Sequence, residues 1–594
     1  MSGTRTERLD RLRRMERVSV LVVGGGINGI SAWRELALQG VDAILVERGD
    51  FMSGASAAPS RMIHGGLRYM ENGEFALVKE SLKERNRLLT NAPHMVSPLP
   101  TLIPLADRFS GMFSAARRFL GGKPKPGPRG AMIVKLGLTL YDLYSGAGKA
   151  VPRHRFFGRR ALRDRWPALD SQMAFGAVYY DAKIAYPERL GVEMVLDTEA
   201  ADPQAVALNH VGFDGFSDYA ATLTDRLSGE RFTIRPDIVV NATGAWIDIT
   251  NGLIAKDPAP LIGGTKGSHL VIDNDALRNA LGDNMVYFAN REGRVCILFV
   301  HLGQVLAGST DISVETPEGV RCEADEADYI LASVREVFPG IRIAPEEIVF
   351  RFAGVRPLPR SNAGVNAEIS RDHQCEWLPE RAGEPPVLSL VGGKWTTFRA
   401  FGEQAADLVL ERLGRKRIVS TQDLKIGGGT GFPRDGVERK RWVTDIAARS
   451  GLTAEGVSIL LDRYGTRAAA MADDIGRQGD EPLASLPAYG RGELVWLAAY
   501  EHVETLADLV LRRTAMALRG ELSLDAVEEI AGVMAAKFGW SEQRRRDEIE
   551  ALLDHLEKFH GVDKDTLERR NHGKENVPVE KSPHEPAVRK RQMS

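Results

Sequence analysis

Apolar residues in the first two thirds of the chain arrive in short runs, separated by glycine, proline and polar turns. Residues 18–23 (VSVLVV) form one such run. It is rich in valine, as expected for a strand buried on both faces of a parallel sheet. A helix is expected over about 28–39 and a second strand over 42–46, with Gly40 closing the helix. Residues 237–244 (DIVVNATG) and 387–394 (VLSLVGGK) repeat the pattern of an apolar run ending in small residues. Between 261 and 350 the runs SHLVI, MVYFA, RVCILFV and QVLAGST crowd together, and IVFRFAGVRPL follows. That density predicts a strand-rich unit. Helical spacing predicts helices over about 74–90, 187–198, 323–338 and 396–413, the first with Phe75, Val78, Leu82 and Leu89 as its apolar stripe. From about 430 to 560 the apolar residues keep a helical period and strands become scarce, which argues for a separate helical domain. The fold class is therefore α/β with an added all-helical region.

Composition narrows the class. The chain has 594 residues, 43% hydrophobic and 27% charged, the profile of a globular protein of more than one domain. A net charge of −2 excludes a chain that is basic overall, and nothing points to nucleic acid. The three cysteines, Cys296, Cys322 and Cys375, form neither a metal-ligand spacing nor a disulfide framework, which fits a reducing compartment. No metal is expected. The first residues, MSGTRTERLDRLRRMER, lack the apolar core of a signal peptide, and no apolar run is long enough to span a bilayer. Leu9, Leu12 and Met15 recur at helical spacing among arginines. They read as a short solvated helix in preference to a surface-lying membrane contact. Residues 107–135 carry Arg108, Arg117, Arg118, Lys123, Lys125, Arg129 and Lys135, with no acid after Asp107 and with Met112, Phe113, Phe119 and Leu120 interleaved. A solvated loop and a contact with anionic lipid are both compatible with that stretch. The charged, proline-containing residues 563–594 are expected to be disordered.

The chemistry starts at the first turn. Gly24, Gly26 and Gly29 have the G-x-G-x-x-G spacing, placed between a strand and a helix. The helix N-terminus would face a pyrophosphate. Glu47 ends the next strand about 20 residues on, where a carboxylate accepts ribose hydroxyls. An acid at that place favours FAD or NAD over NADP.

Seven blocks, in order, carry a resemblance. They are GGGINGI from Gly24, IHGGLRYMENGEF from Ile63, VNATGAW from Val240, TKGSH from Thr265, AGSTD from Ala307, AGVRPL from Ala353 and VGGKWTTFR from Val391. Together they closely resemble the FAD-dependent glycerol-3-phosphate dehydrogenases, within the glycine oxidase/D-amino-acid oxidase superfamily. The likeness covers roughly 18–415 and extends more weakly to ELVWLAAYEHVETLADLVLRRT. It implies a Rossmann-like FAD-binding domain with an inserted antiparallel-sheet substrate domain, followed by the helical domain. The expected layout is an N-terminal extension over 1–17 and FAD-binding parts over 18–100, 190–260 and 350–415. Substrate parts fall at 101–189 and 261–349, the helical domain at 430–562 and the tail at 563–594. Where relatives usually carry serines and threonines before HGG, this chain has Ala55, Ala57 and Pro59, while Ser56 and Ser60 remain.

The resemblance implies FAD contacts from Gly24, Gly25, Gly26, Asn28, Gly29, Glu47, Ser56, Ser60, His64, Gly65, Gly66, Thr243, Gly244, Gly392, Gly393 and Lys394. Oxidising a secondary alcohol on a flavin needs a hydride aimed at N5, a base for the hydroxyl proton and a clamp for the rest of the substrate. Arginine grips a phosphate bidentately. Arg68 and Arg356, each in a matched block, are the expected phosphate clamp, with Tyr69 as an added donor. Lys394 is expected beside the flavin, holding substrate or stabilising charge. His269 and His64 compete for the base, with His269 preferred and His64 equally suited to a structural or flavin contact. Thr310 is a candidate substrate contact and Arg371 a weaker one. The expected reaction is oxidation of sn-glycerol 3-phosphate to dihydroxyacetone phosphate with electrons passed to quinone. Another polyol phosphate, oxygen as acceptor, or an FAD-binding redox-sensing module without turnover are the alternatives. The expected location is cytoplasmic, with a peripheral site on the inner face of the cell membrane. The oligomeric state stays open, a homodimer included.

Overall fold

The computed structural model describes residues 4–67, 74–107, 131–145, 151–255, 257–360, 372–380 and 383–571. Two large sheets organise them. The first contains the strand Arg17–Val23, paired in parallel with Arg231–Asn241 on one side and Ala43–Val46 on the other. Val206–Leu208 extends it beyond Ala43–Val46, and Val387–Gly392 joins Arg231–Asn241, both in parallel. His373–Trp377 closes that edge antiparallel. Three helices, Ile27–Leu38, Pro187–Ala201 and Phe398–Arg412, bury one face with Val20, Val22, Trp33, Leu190 and Phe401. The valine-rich runs are thus covered on both sides, as a parallel sheet requires.

The other face of this sheet corrects the reading of the N-terminus. Arg5–Arg14 is a helix with a Thr4 cap, but Leu9 and Leu12 are buried against Leu21, Val23 and Phe232. Arg5 pairs with Asp225 at 2.7 Å, and Arg13 pairs with Glu230. Only the charged face of the helix is left to solvent, and its apolar stripe is spent on the domain and not offered to a membrane.

The second sheet is antiparallel except where Met285–Ala289 runs parallel to Val96–Leu105. Val96–Leu105 holds Pro98, Pro100 and Pro104, yet it pairs with Phe175–Ile184 along its whole length. All three prolines sit at even positions, so their missing N–H groups fall on one edge of the strand. The long strand Ile348–Pro359 lies along Ile262–Ile272 in this sheet. The expected boundary at 350 therefore shifts, since these residues belong with the substrate sheet. One face of the sheet packs on the helices Asp275–Leu281 and Ala324–Val337 through Leu270, Ile272 and Leu298. The helical domain covers the opposite face through Val271, Phe299, Phe350 and Met516.

The helical region runs further than expected. Lys564–Asn571 forms a helix whose Leu567 is fully buried, and Arg570 donates to the Val349 carbonyl. Those residues are docked, not a free tail. In the helix Phe75–Asn91, Phe75 is exposed and Leu77 takes its place in the buried stripe.

Candidate active site

The dinucleotide turn forms as its glycines dictate. A Cβ on Gly29 would lie 1.9 Å from the Gly24 carbonyl oxygen, so only glycine lets the helix sit against the turn. Gly26 starts the helix Ile27–Leu38 without a side-chain cap. Ser56 supplies a hydroxyl to the Ile27 N–H at 3.0 Å, which gives one serine of the altered loop a defined contact. Glu47 accepts the amides of Gly25 at 2.7 Å and Gly49 at 2.8 Å. Burial pushes its carboxyl pKa up, against the pull of those two bonds. The half-buried Asn28 directs its amide towards the Gly392 carbonyl at 3.4 Å, and its side-chain oxygen is buried without a hydrogen bond. Thr243 bonds Asn241 and Thr250, and Gly244 opens a short helical turn with φ +59°. Gly24, Gly25, Gly26, Asn28, Gly29, Glu47, Thr243 and Gly244 thus meet at the carboxyl ends of adjacent parallel strands, where open α/β sheets bind their ligands.

The His64–Gly66 loop is pinned from behind. The Gly65 N–H donates to Asp181 at 2.9 Å and to the Tyr141 hydroxyl at 3.1 Å, and Tyr141 itself donates to Asp181 at 2.5 Å. Arg85 completes the group at 3.3 Å from Asp181. All three side chains are buried. Sequence reading missed them because the contacts join a helix, a loop and a strand far apart in the chain. His64 is fixed through its backbone, giving its N–H to Thr396 and taking the Thr396 hydroxyl on its carbonyl, each at 3.2 Å. Gly392 and Gly393 both have positive φ at the neighbouring strand end. Lys394 follows them and reaches the Ser81 hydroxyl at 3.4 Å.

The second sheet contributes another cluster. His269 stands opposite Gly308 and Phe352 in the strand register and stacks on Phe352 at 4.9 Å. Its Nε2 shares a 2.8 Å hydrogen bond with Ser60, from the loop that leads to His64. Its Nδ1 is buried without a partner. Burial first, then the charges of Arg356 and Arg61, hold its pKa down at about 3, so the ring is neutral. Arg356 lies on the same face of the adjacent strand. Its guanidinium donates to the Thr310 carbonyl at 3.4 Å and faces Asp311 at 3.5 Å, and it passes directly over Gly267. Ser60, His269 and Arg356 therefore come together.

Thr310 is a correction. It is buried, its hydroxyl donates to Glu326 at 2.7 Å and accepts the Ser268 amide at 2.9 Å. Lys266 pairs with the same carboxylate at 2.6 Å. That hydroxyl braces the strand from the far side. The carbonyl, not the side chain, meets Arg356. Arg68, Tyr69, Arg371 and the basic residues 108–130 lie outside the described residues.

Comparison with known proteins follows the same architecture. Residues 19–408 match the FAD dependent oxidoreductase family, and residues 419–545 match the C-terminal domain of alpha-glycerophosphate oxidase. A glycerol-3-phosphate dehydrogenase of Synechocystis is 32% identical over 91% of this chain and 96% of its own. The chain belongs to the FAD-dependent glycerol-3-phosphate dehydrogenase family. An aerobic glycerol-3-phosphate dehydrogenase of Bacillus subtilis is 26% identical over 90% of this chain and 93% of its own. The structure of the glycerol-3-phosphate dehydrogenase from Bacillus halodurans complexed with FAD shares the fold, with a TM-score of 0.72 at 24% identity, over 93% of this chain and 97% of that one. Like the rest of its family this chain is an FAD-dependent oxidoreductase, and the expected fold class holds. The residues fit the cofactor. The N-cap Gly26 brings no side chain of its own, which leaves the amino end of the helix open to a dinucleotide phosphate, and the unpartnered Asn28 oxygen is an acceptor that a hydroxyl or N–H of the cofactor would satisfy.

Proposed function

We propose that the chain oxidises sn-glycerol 3-phosphate to dihydroxyacetone phosphate and passes the electrons to quinone at a membrane surface. The observation that carries this is the pairing of a neutral, buried His269 with the Arg356 guanidinium on one face of the second sheet. FAD supplies the hydride acceptor. Arg356, with Arg68, grips the phosphate, and His269 takes the hydroxyl proton. A histidine with a pKa near 3 is a weak base. A bound phosphate dianion offsets Arg356, one of the two charges that add to the effect of burial, and so shifts the ring towards greater basicity when substrate is present. Ser60 orients the ring from the loop that also carries His64. Lys394, which follows the double glycine, holds substrate or stabilises charge beside the flavin.

The membrane part of the reading rests on the helix Ala131–Ser145. It exposes Met132, Leu136, Leu140 and Leu143 along one stripe, with Tyr144 beside it. Buried Leu138 and Tyr141 hold the helix down from the other side. The basic stretch of the sequence runs directly into it. An apolar stripe that follows a cation-rich stretch of sequence suits an anionic bilayer. Among the described residues no helix is long and apolar enough to cross a membrane. The proposed position is therefore peripheral, on the cytoplasmic face.

Anaerobic titration with glycerol 3-phosphate tests the substrate: the yellow colour should bleach stoichiometrically. A flavin that stays oxidised overturns the assignment. A ranking of alditol phosphates by kcat/KM separates this substrate from a four-carbon one. The yield of hydrogen peroxide under turnover separates quinone from oxygen.

A further inference from the structure

The helical domain touches the FAD-binding domain at one turn in particular. Glu47 opens that turn and Asp50 lies three residues on. Asp50 is wholly buried, and Arg513 grips both its oxygens at 2.7 and 2.8 Å. Arg512 and Asn209 complete its shell, Asn209 at 2.9 Å. A π-helical turn, Leu509–Arg513, brings the two consecutive arginines onto one carboxylate. A second connection runs through the backbone. The Gly49 carbonyl accepts the His210 N–H at 2.7 Å, and the His210 ring bonds Asp508 at 3.0 Å, itself 2.9 Å from Arg512. A third is steric. His502 packs edge-on against Phe51 at 5.4 Å, and Phe51 fills the space that a side chain on Gly25 would need. The His502 carbonyl accepts both Asn209 and Arg513.

The backbone around these contacts is not relaxed. Met52, His210 and His502 have φ of 65°, 55° and 51°, a region that side chains other than glycine rarely adopt. Such residues persist where their surroundings over-determine them. Here the surroundings are the charged contacts of His210 and His502 and, at Met52, the Gly25 carbonyl that accepts its N–H at 2.9 Å. Asp50, His210 and Asp508 gather as a metal site would, but the two guanidinium groups already balance the carboxylates.

We infer that the segment 501–513 of the helical domain is part of the cofactor site: it sets the Glu47–Met52 turn, so that FAD is held at its adenosine end only with this domain docked. Arg513 is a positioning residue acting through Asp50. The inference rests on Glu47 receiving the ribose. It gives the helical domain a task in the chemistry of the other two.

The test compares Arg513→Gln and Glu47→Gln with the parent. FAD affinity of the apoprotein is read by flavin fluorescence, ADP by competition, and KM for glycerol 3-phosphate at saturating FAD. In R513Q we expect FAD and ADP both to bind at least 10-fold more weakly, by the same factor, with KM unchanged. If R513Q does not fold, Arg513→Lys, which keeps the charge and loses the fork, carries the same comparison. A weakened E47Q beside an R513Q with parent affinity overturns this inference alone. So does an R513Q that loses FAD but keeps ADP, because the effect is then general loosening. Parent-like FAD affinity in E47Q removes the ribose assignment, and this inference with it.

Discussion

Gly267 offers a sharp test of the Arg356 clamp, because the atoms nearest to an added Cβ all belong to that guanidinium. A Cβ at residue 267 would lie 2.0 Å from Nη2 of Arg356, 2.4 Å from Cζ and 2.5 Å from Nη1. Ordinary contact begins at 3.4 Å, so in Gly267→Ala the guanidinium must retreat by at least about 1.4 Å. The arginine is the flexible partner and is only partly buried, so the fold should absorb the change. The substrate would not. A hydrogen bond to a charged group contributes roughly 1.5–3 kcal/mol. Losing the equivalent of one or two such bonds, about 3 kcal/mol, lowers kcat/KM on the order of 10²-fold. A second signature follows from charge. After burial, Arg356 is the leading cause of the low pKa of His269, so its retreat raises that pKa from about 3. The base must be neutral to accept a proton. The acid limb of kcat/KM against pH therefore moves to higher pH. Steady-state kinetics with a soluble acceptor, with flavin content checked by absorbance, read both effects. A Gly267→Ala enzyme with parent kinetics and an unmoved acid limb refutes the clamp.

Further outcomes follow from other contacts. His269→Asn should keep its flavin and lose about 10²–10⁴ in kcat/KM, measured by stopped-flow bleaching, as expected for a lost general base. Tyr141→Phe removes one of the two acceptors of the Gly65 N–H and a buried bond to Asp181, and should lower stability by about 1 kcal/mol in denaturant titration. Leu136→Glu with Leu143→Glu should abolish sedimentation with anionic vesicles while leaving bleaching by substrate intact. Acid should loosen the interface between Pro187–Ala201 and the helical domain. Burial alone would raise the Glu193 pKa, but His94, Arg467 and Arg189 overcome it and hold it at about 2, below its ordinary 4.5. That contribution is complete above 4.5 and lost as pH falls towards 2. Thermal midpoints of the parent should drop across that window, and Glu193→Gln should flatten the drop.

The elements that carry the cofactor were legible because their signals are local. A valine run, a glycine turn and an acid at the next strand end fall within thirty or so residues, and each part has one physical reading. His269 and Arg356 were legible only by resemblance, and the register supplied their meeting. Other features resisted for identifiable reasons. The N-terminal helix looks solvated because arginines surround its leucines, but Arg5 and Arg13 find Asp225 and Glu230 some 220 positions away. The strand Val96–Leu105 hides behind three prolines, which sequence rules assign to turns. Lys564–Asn571 has one buried leucine and no other apolar signal. Thr310 was misread because a hydroxyl in a matched block says nothing about which face of the sheet it serves. The Arg513–Asp50 pair spans 463 residues, and nothing local marks either partner.

The register of two neighbouring strands also works as a ruler. His269 and the Gly267 beneath Arg356 are two residues apart on one strand, so pleat geometry puts their side-chain positions about 7 Å from each other. On the proposed roles of His269 and Arg356, that gap would suit an alcohol carbon one carbon removed from its phosphoester. A longer chain would carry its reacting carbon past the imidazole, and a shorter one would leave it out of reach. Length discrimination would then come largely from backbone spacing, and an exchange that moves the guanidinium, such as Gly267→Ala, would shift it.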